Sequence, residues 1–146
     1  MAKTYTVDLP VTQTRELRYT RVERMEFEKR FRHFGLPGMK EILFDRVFPV
    51  RPDPSNDGKM TPTGGGDLEA QTAFIWMGIR HKNPKFITEE KVGEWLDLAI
   101  TEGRPMLLFL AEAVNAVCDS GVLGYVIDRA VSEEEPGKAP EVTTGA

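Results

Sequence analysis

A short segment, DPSNDG, carries side-chain oxygens at the spacing of a calcium-binding loop. Asp53, Ser55 and Asp57 match the first ligand positions of an EF-hand loop, and Gly58 matches its turn glycine. The last position of such a loop supplies a bidentate glutamate, whereas this chain has Gly64 there. The segment therefore predicts a turn rather than a metal site.

Histidine, cysteine and a glycine-rich segment could also carry chemistry. His33 and His81 are the two histidines, and they lie in different predicted elements without further ligands at the spacing of a zinc site. Cys118, the one cysteine, falls in an apolar helix, where it is expected to be a small buried residue. TGGGD precedes a helix, but no Gly-Lys-Ser/Thr follows and Asp67 places negative charge where a phosphate would bind. We expect no cofactor and no metal, and the chain is predicted not to be an enzyme.

Composition limits the partners. The net charge is −4, from 19 basic and 23 acidic side chains, which argues against a general nucleic-acid-binding surface. The basic run over residues 15–32 also holds four glutamates and is expected to be a solvated helix face. The most apolar segment, MLLFLAEAV, is too short to span a bilayer, and the first residues lack the apolar run of a signal peptide. Neither nucleic acid nor membrane is therefore an expected partner.

Hydrophobic periodicity predicts an α+β fold, mainly α, with an N-terminal β-hairpin and about five helices in one compact domain over residues 1–128. Alternating residues predict the hairpin over residues 4–20. The first helix begins at Arg21 and carries Val22 and Met25 on a second apolar stripe, which indicates contact with two neighbours. Four helices have main stripes at helical spacing: Phe27, Phe31 and Phe34; Leu36, Met39, Leu43 and Val47; Leu68, Thr72, Ile75 and Ile79; and Val92, Trp95, Leu96, Ala99 and Ile100.

Two segments fall outside this helical pattern. Residues 49–66 hold four prolines and four glycines, so the sequence predicts a long loop that forms neither helix nor central strand. Residues 129–146 are acidic and poor in apolar side chains, and we expect a flexible tail there.

The connection between the third and fourth helices, IRHKNPKFITEE, concentrates basic residues. Arg80, His81 and Lys82 fall at the C-terminal end of a helix, where the dipole favours cations. Pro84 ends the helix and Thr88 is suited to cap the next one. The sequence favours a plain turn, with contact to an anion or a partner as the alternative.

Candidate residues for partner binding lie on the third helix and after the fifth. The third helix has a second apolar face opposite its main stripe, and the segment VLGYVI follows the last helix. Small alanines beside phenylalanine and methionine would suit the docking of an amphipathic helix. The alternative is that this face and the segment VLGYVI are both buried in the core. The candidates are Ala70, Ala73, Phe74, Met77, Val122, Leu123 and Tyr125.

A set of short motifs over residues 15–117 resembles the small tail assembly proteins of long-tailed bacteriophages and gene transfer agents. An LRxT strand precedes a charged helix, and an apolar helix ends in W-x-G-x-R-H. The segment PKFITEEKV follows, which is similar to the family linker P-x-hydrophobic-T-x-E-E-x-V but has one residue more before the threonine and one fewer after it. The residues that match are Leu17, Arg18, Thr20, Trp76, Gly78, Arg80, His81, Pro84, Ile87, Thr88, Glu90 and Val92. The insertion at residues 49–66 and the acidic tail depart from the family pattern.

The resemblance implies a non-enzymatic tail assembly chaperone in the host cytoplasm. Such a protein would bind the tape-measure protein while the tail tube polymerises around it, and the tail tube protein is a second candidate partner. Self-association into a homo-oligomer stays open. The alternative function is a structural component of the tail or head–tail connector that is retained in the virion.

Overall fold

The computed structural model describes residues 4–10, 13–32, 38–82 and 84–123. It is mainly helical with two small antiparallel hairpins, which confirms the predicted fold class. The strands are β1 Tyr5–Leu9, β2 Gln13–Leu17, β3 Val50–Asp53 and β4 Lys59–Pro62, and the α-helices are α1 Arg21–Phe31, α2 Met39–Ile42, α3 Leu68–Ile79, α4 Glu89–Thr101 and α5 Met106–Ser120. A turn of π-helix, Leu43–Val47, continues α2.

The first hairpin, β1–β2, follows the alternation of its sequence. Tyr5 pairs with Leu17, and the side chains of Tyr5, Val7 and Leu9 are buried in one row. This row packs against α5, where the Tyr5 hydroxyl donates a hydrogen bond to the Asp119 carboxylate. The hairpin therefore closes one side of the helical core.

The first helix buries its phenylalanines as predicted. Phe27 and Phe31 lie with ring centroids 4.9 Å apart, and Phe27 is 5.7 Å from the ring of Phe74 on α3. Thr20 and Glu23 form a capping box at the start of α1, which fixes where the strand ends and the helix begins. The predicted positions Phe34, Gly35 and Leu36 lie outside the described residues.

Helix α3 lies at the centre of the fold and contacts α1, α4, α5 and β2. Asp67 caps it by accepting a hydrogen bond from the Glu69 backbone N–H. Leu68 was expected in the core stripe, but its side chain is 71% exposed. The reason is its place in the first turn, which extends beyond the core together with the exposed glycines before it.

Helices α4 and α5 form an antiparallel pair joined at Gly103, whose φ of +90° suits glycine. Thr88 caps α4 as predicted, and four of the five stripe residues of α4 are buried. The exception is Ile100, which is exposed because it lies about 100° round the helix from Ala99. Cys118 on α5 is buried, as predicted. Among the described residues, no helix combines the length and the apolar character needed to cross a bilayer.

The segment over residues 49–66 is a β-hairpin, so the predicted loop is wrong. β3 pairs antiparallel with β4, and the Thr63 N–H donates to the Pro49 carbonyl at 2.9 Å. Because hydrogen-bonded and non-hydrogen-bonded pairs alternate along an antiparallel ladder, the backbone of Pro52 and of Pro62 faces outward. Prolines remove no ladder hydrogen bond there, and they withhold a donor from each free edge.

The β3–β4 hairpin is held at its base by α3. The Gln71 side-chain amide donates to the carbonyls of Val47 and Gly65, both at 3.0 Å. Arg46 forms an ion pair with Asp67, whose backbone N–H donates to the Arg46 carbonyl at 2.7 Å. The residues just before and just after the β3–β4 hairpin are therefore joined to each other and to α3.

Candidate partner-binding surface

The second face of α3 belongs to the core, which corrects the candidate partner surface. Ala70, Ala73 and Phe74 have no exposed side-chain surface, and Met77 is 1% exposed. The physical reason is the central position of α3, which has neighbours on both apolar faces. Val122 and Leu123 are also buried, whereas the remaining candidate, Tyr125, lies outside the described residues.

Tyr19 is the residue that covers this face. Its ring stacks on Phe74 with centroids 4.9 Å apart, and its hydroxyl donates to the Phe74 carbonyl at 2.7 Å. A Cβ on Gly78 would lie 2.5 Å from the Tyr19 ring, so this close approach requires glycine. Burial, and to a smaller extent the charge of Glu23, raises the pKa of Tyr19 well above its usual value, so the hydroxyl stays a proton donor.

The motif residues meet at the junction of β2, α1 and α3. The Arg18 backbone N–H donates to the Gly78 carbonyl at 2.8 Å, which ties the end of β2 to the C-terminal end of α3. The Arg80 guanidinium binds both carboxylate oxygens of Glu26 on α1, at 2.6 and 3.3 Å. This hydrogen bonding lowers the pKa of Glu26, although partial burial of the carboxyl acts in the opposite direction.

The linker half of the motif holds α4 in place. The Trp76 indole N–H donates to the Ile87 carbonyl at 3.0 Å, and the Ile87 side chain is fully buried. Lys82 forms an ion pair with Glu16 at 3.5 Å, and His81 Nδ1 lies 3.2 Å from the Gly78 carbonyl oxygen. Each of these contacts joins protein elements, which supports the plain-turn interpretation of the described part of this connection.

The residues considered for chemistry have structural partners. Asp53 accepts hydrogen bonds from the Ser55 N–H and hydroxyl, and Asp57 turns the chain with a φ of +56°. Asp67 caps α3 and pairs with Arg46, so it occupies the place that a phosphate would take. In the ranges that the structure describes, no group of three or more histidine, cysteine, aspartate or glutamate side chains is arranged to hold a metal.

The outer face of α1 is one of the places where the described residues expose large apolar side chains. Val22 and Met25 are 63% and 62% exposed, one helical turn apart. Arg21, Lys29 and Arg32 fall on the same side of the helix, are exposed, and make no ion pair within the described part of the chain. We call these five residues the α1 outer face. It combines an apolar centre with unpaired positive charge.

Two grooves run along this face. One, of about 530 Å³, extends beside Val22, Met25 and Arg32. The other, of about 420 Å³, lies between α1 and the end of α5, beside Arg24 and Val122. Met25 and Glu28 line both grooves, so the two lie next to each other on α1.

The sequence signal for this surface is the second stripe of α1. Val22 and Met25 predict a second neighbour, and within the described residues their side chains remain largely open to solvent. The sequence favours α3 instead as the partner-binding helix, because alanines beside Phe74 and Met77 would suit a docked helix. An apolar stripe alone does not reveal which of two helices has a neighbour within its own chain.

Comparison of the chain with protein-family models, with curated proteins and with solved structures finds no match.

Proposed function

We propose that this protein is a non-enzymatic tail assembly chaperone of a long-tailed bacteriophage or gene transfer agent. It binds the tape-measure protein in the host cytoplasm while the tail tube assembles. The observation that carries the proposal is the α1 outer face, an exposed apolar centre flanked by Arg21, Lys29 and Arg32. Glu26 and Glu28 also line the groove, but their carboxylates are paired with Arg80 and Arg24. Exposed and contiguous apolar surface is the property that a chaperone for a long helical client requires.

The motif residues support the resemblance as a signature of the fold. Leu17 is buried at the end of β2, Thr20 caps α1, and the Trp76 indole on α3 donates to the linker before α4, so these residues help to fix the positions of the elements. Because their roles are structural, the contact with the client has to come from other residues. The α1 outer face lies on the helix that this junction holds in place.

Binding would follow the helix-in-groove mode. An amphipathic segment of the tape-measure protein places its apolar stripe over Val22 and Met25, and acidic residues beside that stripe meet Arg21, Lys29 and Arg32. Such a contact is modest in area and therefore reversible, as a client that must be released to the tail tube requires.

Co-expression with the tape-measure protein tests the proposal. Met25→Asp should leave the fold intact and reduce the soluble fraction of the client, because a charge replaces the exposed apolar centre. Leu108→Asp is the matched control, since Leu108 on α5 is 63% exposed. Equal solubilisation by the two variants and the wild type would contradict the assignment of the face.

Mass spectrometry of purified particles separates the chaperone from the structural alternative. A chaperone is released before the tail is complete, so we expect it to be absent from virions. Presence in stoichiometric amounts would instead establish a tail or connector component.

A further inference from the structure

The α1 outer face lies beside the point at which the described chain ends. The Val122 carbonyl accepts a hydrogen bond from the Arg24 guanidinium at 3.0 Å, which holds the end of the described chain against α1. Gly121 and Val122 line the same groove as Met25. Residues 124–146 continue from Leu123 and lie outside the described part.

The sequence of that segment complements the α1 outer face. It begins with an apolar group, Tyr125, Val126 and Ile127, and a run of three glutamates follows at residues 133–135. The segment contains five acidic and two basic residues, whereas the face offers unpaired Arg21, Lys29 and Arg32. An apolar group followed by negative charge matches an apolar centre followed by positive charge.

The segment is also long enough to extend along the α1 outer face. Ile127 lies four residues beyond Leu123, and four residues of extended chain span at most about 13 Å. Met25 and Val122 line the same groove, so only a short segment is needed to reach Met25 from the end of the described chain. From Arg24 to Arg32 the helix rises about 12 Å. The glutamates at residues 133–135 lie within about 26 Å of chain beyond Ile127, ample for reaching Lys29 and Arg32.

We propose that the C-terminal segment of the same chain occupies the α1 outer face, with Tyr125–Ile127 over Val22 and Met25 and the glutamates at residues 133–135 beside Lys29 and Arg32. The segment covers the apolar centre in the free protein. This occupancy does not depend on a role in tail assembly. Any client that binds the same face has to displace the segment.

Methyl NMR of the full chain tests this occupancy through two methionines. Without a cover, Met25 at 62% exposure should be relaxed by a soluble paramagnetic probe more strongly than Met60 at 49% on the β3–β4 hairpin. The proposal predicts the reverse order in the wild type, with Met25 protected. Ile127→Asp should abolish that protection and leave Met60 unchanged, whereas Val142→Asp, near the other end of the segment, should leave both signals unchanged.

Two results would overturn the proposal. Met25 relaxed more strongly than Met60 in the wild type means that nothing covers the face. Protection that depends on protein concentration and survives Ile127→Asp means that a second copy covers it. Both measurements use the isolated protein, so a failure of the client-binding assay leaves their outcome unaffected.

Discussion

Helices α1 and α3 each carry two apolar stripes, and the second stripe is buried on α3 but exposed on α1. On α3, Ala70, Ala73 and Phe74 are fully buried beneath Tyr19 and α1. On α1, Val22 and Met25 remain open and face unpaired cations. The difference comes from position, because α3 has helices on both sides whereas α1 lies at the edge of the fold. Amphipathicity identifies a surface that needs a neighbour, and the topology decides whether the chain itself supplies one.

A charge on each second stripe should give the largest contrast between the two helices. Phe74→Asp strands a carboxylate against Tyr19 and Phe27, and we expect the protein not to fold. Met25→Asp places the same charge on a face that the packed core leaves open, and it should change the free energy of unfolding by less than about 0.5 kcal/mol. Circular dichroism and urea unfolding of both variants measure the contrast. A folded Phe74→Asp variant would mean that the second face of α3 is accessible after all.

Truncation of Trp95 should have the next largest effect. Its side chain is buried in the main stripe of α4, and replacing such a residue by alanine costs about 3–5 kcal/mol. Leu98→Ala on the exposed side of the same helix is the control and should cost little. Thermal melts report both changes. An unchanged melting temperature for Trp95→Ala would show that the α4 stripe is open like the second stripe of α1.

The sequence predicts those features whose causes are local. The caps at Thr20, Asp67 and Thr88 and the buried stripe of α4 follow from residues within one or two helical turns. Burial of the second stripe of α3 depends on Tyr19, which contacts α3 from a distant part of the chain. Only the assembled fold shows that contact, so the sequence alone does not reveal that the candidate surface on α3 is buried.

The segment over residues 49–66 shows a second reason why sequence patterns do not predict the whole fold. Its prolines argue against strands as long as their register is unknown. The pairing turns Pro52 and Pro62 toward the free edges, where the missing N–H removes no hydrogen bond. The proline and glycine content therefore correctly predicts that the segment forms no α-helix, but the predicted loop is wrong because the segment forms a hairpin.

Two glycines at the base of the β3–β4 hairpin should differ in their tolerance of alanine. Gly66 has a φ of +120°, and a Cβ there would lie 2.9 Å from the Arg46 carbonyl oxygen and also collide with the Gln71 amide. Gly64 has a φ of +81° and open space around it. We expect Gly64→Ala to cost about 1 kcal/mol and Gly66→Ala about 2–3 kcal/mol, from strain plus the collision. Equal costs in urea unfolding would mean that α3 does not hold the hairpin.

The Glu26–Arg80 pair should give the smallest effect, limited to acid pH. Because the pKa of Glu26 is lowered in the folded state, the pair stabilises the fold above the unfolded pKa of the carboxyl, and this contribution is lost as the pH falls through the folded pKa. The carboxylate is partly exposed, so solvent screening limits the contribution to about 0.5–1 kcal/mol. Glu26→Gln should lower stability at neutral pH and converge with the wild type in acid. Glu94→Gln, an exposed change on α4, should match the wild type throughout.

The central claim is that the partner surface lies on α1 and not on α3. A photo-crosslinking residue at position 25, compared with the same residue at position 108, tests it directly during co-expression with the tape-measure protein. The packed core leaves the two native side chains almost equally exposed, at 62% and 63%, so the core itself does not separate them. We predict crosslinks to the tape-measure protein from position 25 and none from position 108. Equal crosslinking from both positions, or none from position 25, would contradict the account.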